Sequence, residues 1–191
     1  GGGLVHVQTG TLNAGAPLVG DLGMSPLANS YIKPDQLNRM EPFYPLHVYV
    51  CEKCLLVQLK QFAAPHDIFS DYAYFSSFSD SWLAHAKAYV DMIVGRFGLD
   101  LSSKVVEIAS NDGYLLQNFV SRGIPVLGVE PASNIAEVAK KKGIQTKVAF
   151  FGENTARDVA AEGWAADLII GNNVLAHVPD LNDFVKGLKV L

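Results

Sequence analysis

Residues 105–116 read Val-Val-Glu-Ile-Ala-Ser-Asn-Asp-Gly-Tyr-Leu-Leu, an apolar run that passes through a polar turn into a second apolar stretch. Val105, Val106, Ile108 and Ala109 suit a short strand covered on both faces, and Gly113 lets the backbone pass close to a ligand where a helix starts. Amides at such a helix start favour an anionic group such as a carboxylate. The next apolar run, Pro125 to Val129, stops at Glu130, whose carboxylate can accept hydrogen bonds from both hydroxyls of a ribose. An acid about 20 residues after the turn is the spacing of nucleoside-binding α/β folds.

The turn departs from the dinucleotide pattern, because Ala109, Asn111 and Gly113 stand where three glycines would surround a pyrophosphate. Glu107, at the strand end, would repel phosphates and suits a cationic amine and sulfonium, which points to S-adenosylmethionine as cofactor. The plainer reading is that Glu107 only orients the loop.

Three ordered words carry a family resemblance: Val-Glu-Ile-Ala-Ser-Asn-Asp-Gly-Tyr-Leu-Leu (106–116), Gly-Val-Glu-Pro-Ala (128–132) and Asn-Asn-Val-Leu-Ala-His-Val-Pro-Asp (172–180). They resemble the S-adenosylmethionine-dependent sugar C-methyltransferases, which methylate carbon 3 of nucleotide-linked 4-keto-deoxysugars. Upstream, Asp-Leu-Gly-Met-Ser-Pro-Leu-Ala-Asn-Ser (21–30), Tyr-Pro-Leu-His-Val-Tyr-Val-Cys-Glu-Lys-Cys (44–54) and Tyr-Ala-Tyr-Phe-Ser-Ser-Phe-Ser (72–79) resemble the zinc-associated N-terminal region of the same family. The resemblance implies a Rossmann-like α/β methyltransferase domain over 81–191, preceded by a small β-rich zinc-knuckle-like region over 1–80. It also implies seven strands in the order 3-2-1-4-5-7-6. Four are countable here, so the chain reads as a fragment, with its fourth strand at an exposed edge and with a C-terminal domain and a catalytic histidine expected beyond Leu191.

The 191 residues, 49% of them hydrophobic, supply ample core for one large or two small domains. A net charge of −4 with no long basic run argues against nucleic-acid binding through a phosphate-contact surface. No apolar stretch reaches the roughly 18 residues of a membrane span, and no secretory leader pattern opens the chain, so the expected location is the cytoplasm, away from membranes. The two cysteines, Cys51 and Cys54, form a Cys-x-x-Cys pair between extended apolar segments, which suits a zinc knuckle better than a redox pair. A structural zinc site usually needs four ligands, and residues 1–19 carry no second cysteine pair; His6 and His47 are unsupported substitutes. A half-site or a plain thiol pair on a turn remains the alternative.

Residues 1 to about 19 are Gly-rich and without periodicity, and read as a poorly ordered leader. Prolines 26, 34, 42 and 45 break the following segment into short extended pieces. Trp82, Ala86, Tyr89, Val90, Ile93 and Phe97 recur at helical spacing, so 82–97 is predicted as an amphipathic helix ended by Gly98. Beyond it strands and helices alternate: strand 105–109, helix 113–121, strand 125–129, helix 134–142 stopped by Gly143, strand 145–149, helix 153–161, strand 167–172 and helix 180–190. This is a doubly wound order. The Lys140–Lys142 run falls in a last helical turn, where cations complement the dipole.

The candidate cofactor residues are Glu107, Ser110, Asn111, Gly113, Tyr114, Leu115, Glu130, Pro131, Phe151, Asn172 and Asn173. Asn172 and Asn173 offer amides to the amino-acid part of the cofactor; helix capping is their structural alternative. Phe150 and Phe151 could sandwich adenine, although a double phenylalanine is more often core. Tyr72, Phe75, Ser77 and His177 are the candidate substrate contacts, in an aromatic and hydroxyl-bearing wall that could instead be interdomain core. His177 and Tyr74 are the candidate catalytic residues, although the resemblance puts the main base downstream. Enolisation beside a keto group needs a base, and histidine is the natural one near neutral pH. A methyltransferase on another acceptor, an NAD-dependent enzyme and a non-catalytic zinc-knuckle module are the competing readings.

Overall fold

The computed structural model describes residues 17–69 and 72–191, so His6 and most of the Gly-rich leader lie outside the described residues. The chain divides into two units by its internal contacts, one ending at Ile68 and also holding Pro179–Asn182, the other formed by Phe69–Val178 and Asp183–Leu191.

The first unit is an antiparallel sheet of β1 (Leu18–Ser25), β2 (Tyr44–Val50) and β3 (Val57–Leu59), in that spatial order. Leu18 and Val19, read from sequence as leader, belong to β1, because Leu18 pairs with Tyr49 in the ladder. A Cys-x-x-Cys turn joins β2 to β3: the Cys51 amide donates to the Leu56 carbonyl at 2.9 Å and the Leu55 amide returns to the Cys51 carbonyl at 2.8 Å. A short helix, α1 (Pro65–Phe69), follows.

The second unit opens with α2 (Asp80–Phe97), which starts where the Ser79 hydroxyl accepts from the Trp82 amide and stops at Gly98, whose φ of 63° turns the chain left-handed. Ala86, Val90 and Ile93 are buried as their spacing predicts. Phe97 is not: at 58% exposed, with the Arg96 guanidinium over its ring, it lies where the apolar stripe outruns the packing partners of the helix.

The strands β4 (Val105–Ile108), β5 (Val126–Val129), β6 (Thr146–Lys147) and β7 (Leu168–Gly171) form a parallel sheet in the order β6-β5-β4-β7. In sequence terms this is 3-2-1-4, the predicted order. Helices α3 (Gln117–Val120), α4 (Ser133–Lys141), α5 (Glu153–Ala161) and α6 (Leu181–Val190) alternate with the strands, so the fold is Rossmann-like α/β. Strand residues alternate between two cores. Val105, Val126 and Ile170 join Val90, Ile93 and Phe119, whereas Val106, Leu127 and Val129 join Ala156, Val159 and Leu191. Fully burying such side chains stabilises by about 1.5–3 kcal/mol each. The strands are therefore fixed before any ligand is considered, and their carboxyl ends present the β4–α3 turn.

That turn differs from its sequence reading in one respect. The predicted helix 113–121 shrinks to Gln117–Val120, and the left-handed φ of 77° at Gly113, like the 50° at Asn111 before it, keeps that residue itself out of the right-handed helix. The Gly113 amide donates to the Ser110 carbonyl, and the Gln117 amide closes the first helical turn on the Gly113 carbonyl, each at 3.1 Å. Ala109 is also left-handed, with φ 54°. All three positions where glycines were expected thus adopt the backbone that glycine favours, although two carry side chains. Ala109→Gly is expected to stabilise the second unit by about 0.5–1 kcal/mol, a left-handed penalty of about 1–2 kcal/mol less the larger chain entropy of glycine. Urea denaturation measures it; an unchanged or lower stability would show that Ala109 is held without strain.

Candidate functional site

Register puts an acid at the heart of the sheet. Glu107 pairs with Gly128 of β5 on one side and Ile170 of β7 on the other, and is fully buried. Neither of its carboxylate oxygens has a hydrogen-bond partner of good geometry, and the same is true of Ser110 Oγ and Asp112 Oδ1. Burial pushes the Glu107 pKa well above the ordinary carboxylate range; the nearby Asn172 amide and Tyr114 hydroxyl oppose this, and the charges of Glu130 and Asp112 reinforce it. Buried polar groups are nearly always paired, so four orphaned oxygens within six residues mark a place prepared for donors from a ligand.

Glu130, only 5% exposed, is paired: Oε2 accepts from the Asn111 amide and Oε1 from the Ala132 amide, each at 2.9 Å. Burial raises its pKa and the two amides oppose the rise. Each oxygen keeps a further lone pair for a hydroxyl. Asp112 is held by the Lys142 ammonium, 3.2 Å from Oδ2. Three carboxylates, of which only Asp112 is paired with a lysine, therefore lie close enough at the turn for the charges of Glu130 and Asp112 to act on Glu107, a field that favours a cation and repels phosphate.

The other expected cofactor residues separate into two groups. Asn111 and Tyr114 are at the turn, and the Tyr114 hydroxyl accepts from Asn172 Nδ2 at 3.2 Å. Burial, with the Glu107 charge next, raises the Tyr114 pKa beyond its usual value. Asn173 is exposed with φ 53°, beside Asn172 after β7, and Pro131 follows Glu130 half-buried. Leu115, by contrast, is a core residue, and Phe151 points into the second core with its ring edge-on to Phe184 at 5.3 Å. Phe150, 43% exposed, is the better placed of the pair for a planar ring. Gly113 has the left-handed φ of 77° that disfavours a side chain, and a Cβ there would also press on the Ile144 side chain.

The 72–78 segment lies on the turn through its backbone. Asn134 grips Tyr72 at both its amide and its carbonyl, while Asn111 takes the Ser76 amide at 2.8 Å and donates to the Tyr74 carbonyl at 3.1 Å. The Ser77 amide donates to Asp112 Oδ2 at 3.3 Å. Tyr74 remains half exposed, and the Phe75 ring rests against Phe78. His177, on a 3-10 turn after β7, faces Phe69 edge-on at 5.8 Å, and Phe69 in turn meets Tyr72 at 5.6 Å. His177 and the aromatic segment are thus assembled on one cluster through Phe69, which the sequence reading missed. Asp112, Asn134 and Lys142 were missed as well; their contacts span about 30 to 62 residues and leave no local signal.

Two thiols mark the metal candidate in the first unit. The Cys54 and then the Lys53 amide, with the Cys54 thiol, pull the Cys51 pKa below the ordinary thiol value, which favours the ligating thiolate. His47 lies 3.5 Å from Asp21, and among the described residues no group of three or more His, Cys, Asp or Glu converges to hold a metal. The described residues thus supply half of a tetrahedral shell. No helix among them is long and apolar enough to cross a membrane.

Comparison with known proteins adds two domain matches. A family model described as "Putative zinc binding domain" matches residues 16–69, and one described as "Methyltransferase domain" matches 106–190. The chain is 34% identical over 169 residues to C-methyltransferase NovU of Streptomyces niveus, covering 88% of this chain and 40% of that protein. It is 27% identical over 114 residues to the ubiquinone biosynthesis O-methyltransferase of Bartonella bacilliformis, covering 57% of this chain and 46% of that one. A solved SAM-dependent methyltransferase from Anabaena variabilis is similar with a TM-score of 0.46 at 21% identity, over 58% of this chain and 49% of its own. The chain therefore spans less than half the length of these curated relatives.

The orphaned acid has a consequence for stability. A carboxyl whose folded pKa is raised contributes stability that is full below its ordinary value of 4.5 and is lost as pH rises through the folded value. Glu130 carries the same sign. Ligand-free protein is accordingly expected to lose stability from about pH 5 upward, and Glu107→Gln to flatten that loss. Thermal melts across the range check this, and a variant profile parallel to wild type would show that Glu107 does not titrate in the fold.

Proposed function

We propose that this protein is an S-adenosylmethionine-dependent C-methyltransferase acting on a nucleotide-linked 4-keto-deoxysugar. The observation that carries the cofactor assignment is the buried, unpartnered Glu107 carboxylate at the carboxyl end of β4, with Asp112 and Glu130 on the adjoining turn. A ligand carrying an ammonium and a sulfonium supplies the donors and the positive charge that this site lacks. Glu107 and the Ser110 hydroxyl would meet its cationic end, Glu130 its ribose, and Asn172 and Asn173 its amino-acid part, while Phe150 offers a face to the base. The C-methyltransferase relative and the methyltransferase-domain match support the reaction class. The sugar rests on the resemblance of the motifs.

When bound, the cofactor supplies an electrophilic methyl group with a neutral leaving thioether, so the chain need do little to assist departure. Its residues have three tasks: to hold the cofactor, to keep water out and to manage the proton beside the keto group. Tyr72, Phe75 and Ser77 are placed to contact a sugar, with Tyr74 and His177 as the candidates for the proton. His177, beside Phe69, can receive a proton at a ring nitrogen; Tyr74 is half exposed and can donate from its hydroxyl to an enolate oxygen.

Calorimetric titration with S-adenosylhomocysteine is expected to show binding, with none for NAD; the reverse would reject the cofactor class. Glu130→Ala is expected to weaken that binding by about 1–3 kcal/mol, the range for lost hydrogen bonds to a charged group. Equal affinity would remove Glu130 from the ribose. In a longer chain that includes the downstream histidine implied by the resemblance, a 4-keto sugar nucleotide deuterated at carbon 3 should lose its label during turnover, whereas methylation at oxygen with label retained would favour the chemistry named for the ubiquinone-pathway relatives. For the metal, less than one equivalent of zinc per chain is expected, since two thiolates leave half the shell to water. One full equivalent, lost on changing Cys51 and Cys54, would show that further ligands exist.

A further inference from the structure

We propose that Lys142 is a positioning residue that locks the 72–78 segment onto the cofactor turn, so that order in the segment and occupancy of the turn rise and fall together. The inference rests on the cofactor reading above and concerns a residue that touches neither cofactor nor substrate in that reading. Lys142 caps α4, where Lys140 and Lys141 occupy the last turn and Lys140 pairs with Glu137. Lys142 does something else. Its ammonium donates to Ser77 Oγ at 2.8 Å, to the Asp112 carbonyl at 2.9 Å and to Asp112 Oδ2 at 3.2 Å. All three donors of the ammonium are thus used on two segments 35 residues apart.

The partners explain why this contact carries weight. Asp112 is 2% exposed, and its Oδ2 also accepts from the Ser77 amide. Without the lysine, a buried carboxylate would keep one backbone donor and no opposite charge, which is strongly unfavourable unless it moves outward. Moving Asp112 releases Ser77 and disturbs the adjoining Asn111, whose side chain holds Ser76 and Tyr74 and whose amide holds Glu130. Hydrogen bonds at Asp112 and at Asn111, joined by the peptide links 111–112 and 76–77, therefore connect Lys142 to the carboxylate assigned to the ribose. The segment is gripped almost wholly by its backbone, which leaves Tyr74 50% and Phe78 81% exposed. The latch fixes where the backbone lies and leaves those two rings open to a ligand.

Coupling of this kind is reciprocal: whatever factor the ordered segment adds to cofactor affinity, bound cofactor adds to segment order. Amide hydrogen exchange of the protein reads the segment, with and without saturating S-adenosylhomocysteine, and calorimetry reads the affinity. In wild type the ligand is expected to slow exchange at Ser76 and Ser77 by roughly tenfold, within the usual range of coupling between sites. In Lys142→Met, which keeps the aliphatic stem, those amides should exchange fast in both states and the dissociation constant should rise by a similar factor. Lys142→Arg should restore both, and Ser77→Ala, which removes one acceptor only, should give an intermediate result if the methionine variant fails to fold. Protection at the β4 amides separates local release from global destabilisation. Ser76 and Ser77 protection and affinity unchanged in Lys142→Met would overturn the proposal, as would loss of protection with ligand slowing still intact. Absence of ligand binding to wild type would sink the cofactor reading and the coupling with it, and the ligand-free comparison would still decide whether Lys142 holds the segment.

Discussion

A fully buried acid with no hydrogen bond of good geometry, in the middle of a parallel sheet, is the constraint on which the rest of the structure depends. Glu107 occupies a strand position that β-sheet packing would fill with valine or isoleucine, and β4 keeps its regular parallel register with β5 and β7 around it. Tyr114 and Asn172 approach from the turn and from the end of β7, and Tyr89 lies close enough for the Glu107 charge to add to its burial in raising its pKa. A natural core that tolerates such a group gives up stability for a function that needs the charge there. The same logic extends to Ala109, a non-glycine residue held left-handed one step beyond the strand.

Much of the fold was legible because its signals are local. Apolar runs of four residues bounded by polar turns gave β4 and β5, and Gly98 and Gly143 stopped their helices with left-handed φ of 63° and 80°. The strand order came from the family resemblance, since alternation of strands and helices leaves it open. The start of α3 was misjudged because Tyr114, Leu115 and Leu116 have helical composition, while the chain arrives at them from a turn with left-handed backbone at Asn111 and Gly113. Phe151 and Leu115 show the general difficulty with apolar candidates: packing and binding ask for the same side chain, and only the direction of the ring or branch separates them.

The site was legible at its acids and illegible at its scaffold. Glu107 and Glu130 announce themselves by standing in apolar runs, where a charge needs a reason. Asn134, Asp112 and Lys142 sit in polar surroundings where such residues need none, and their meaning lies in contacts with distant segments. At Gly113 the left-handed backbone is legible in the residue type, whereas the Ile144 side chain packed against it is not. In the first unit the Cys-x-x-Cys turn folds as a knuckle between β2 and β3, yet a knuckle supplies two ligands, and spacing alone never reveals where others come from.

Carbon-13 NMR of the Glu107 side-chain carboxyl, titrated with pH in the ligand-free protein and again with S-adenosylmethionine bound, tests the central claim most directly. The expected result is titration well above the ordinary carboxylate range without ligand and a fall when the cation arrives, since an opposite charge favours the ionised form. A carboxyl that titrates near 4.5 in the ligand-free protein, or that does not respond to the cofactor, would contradict the account.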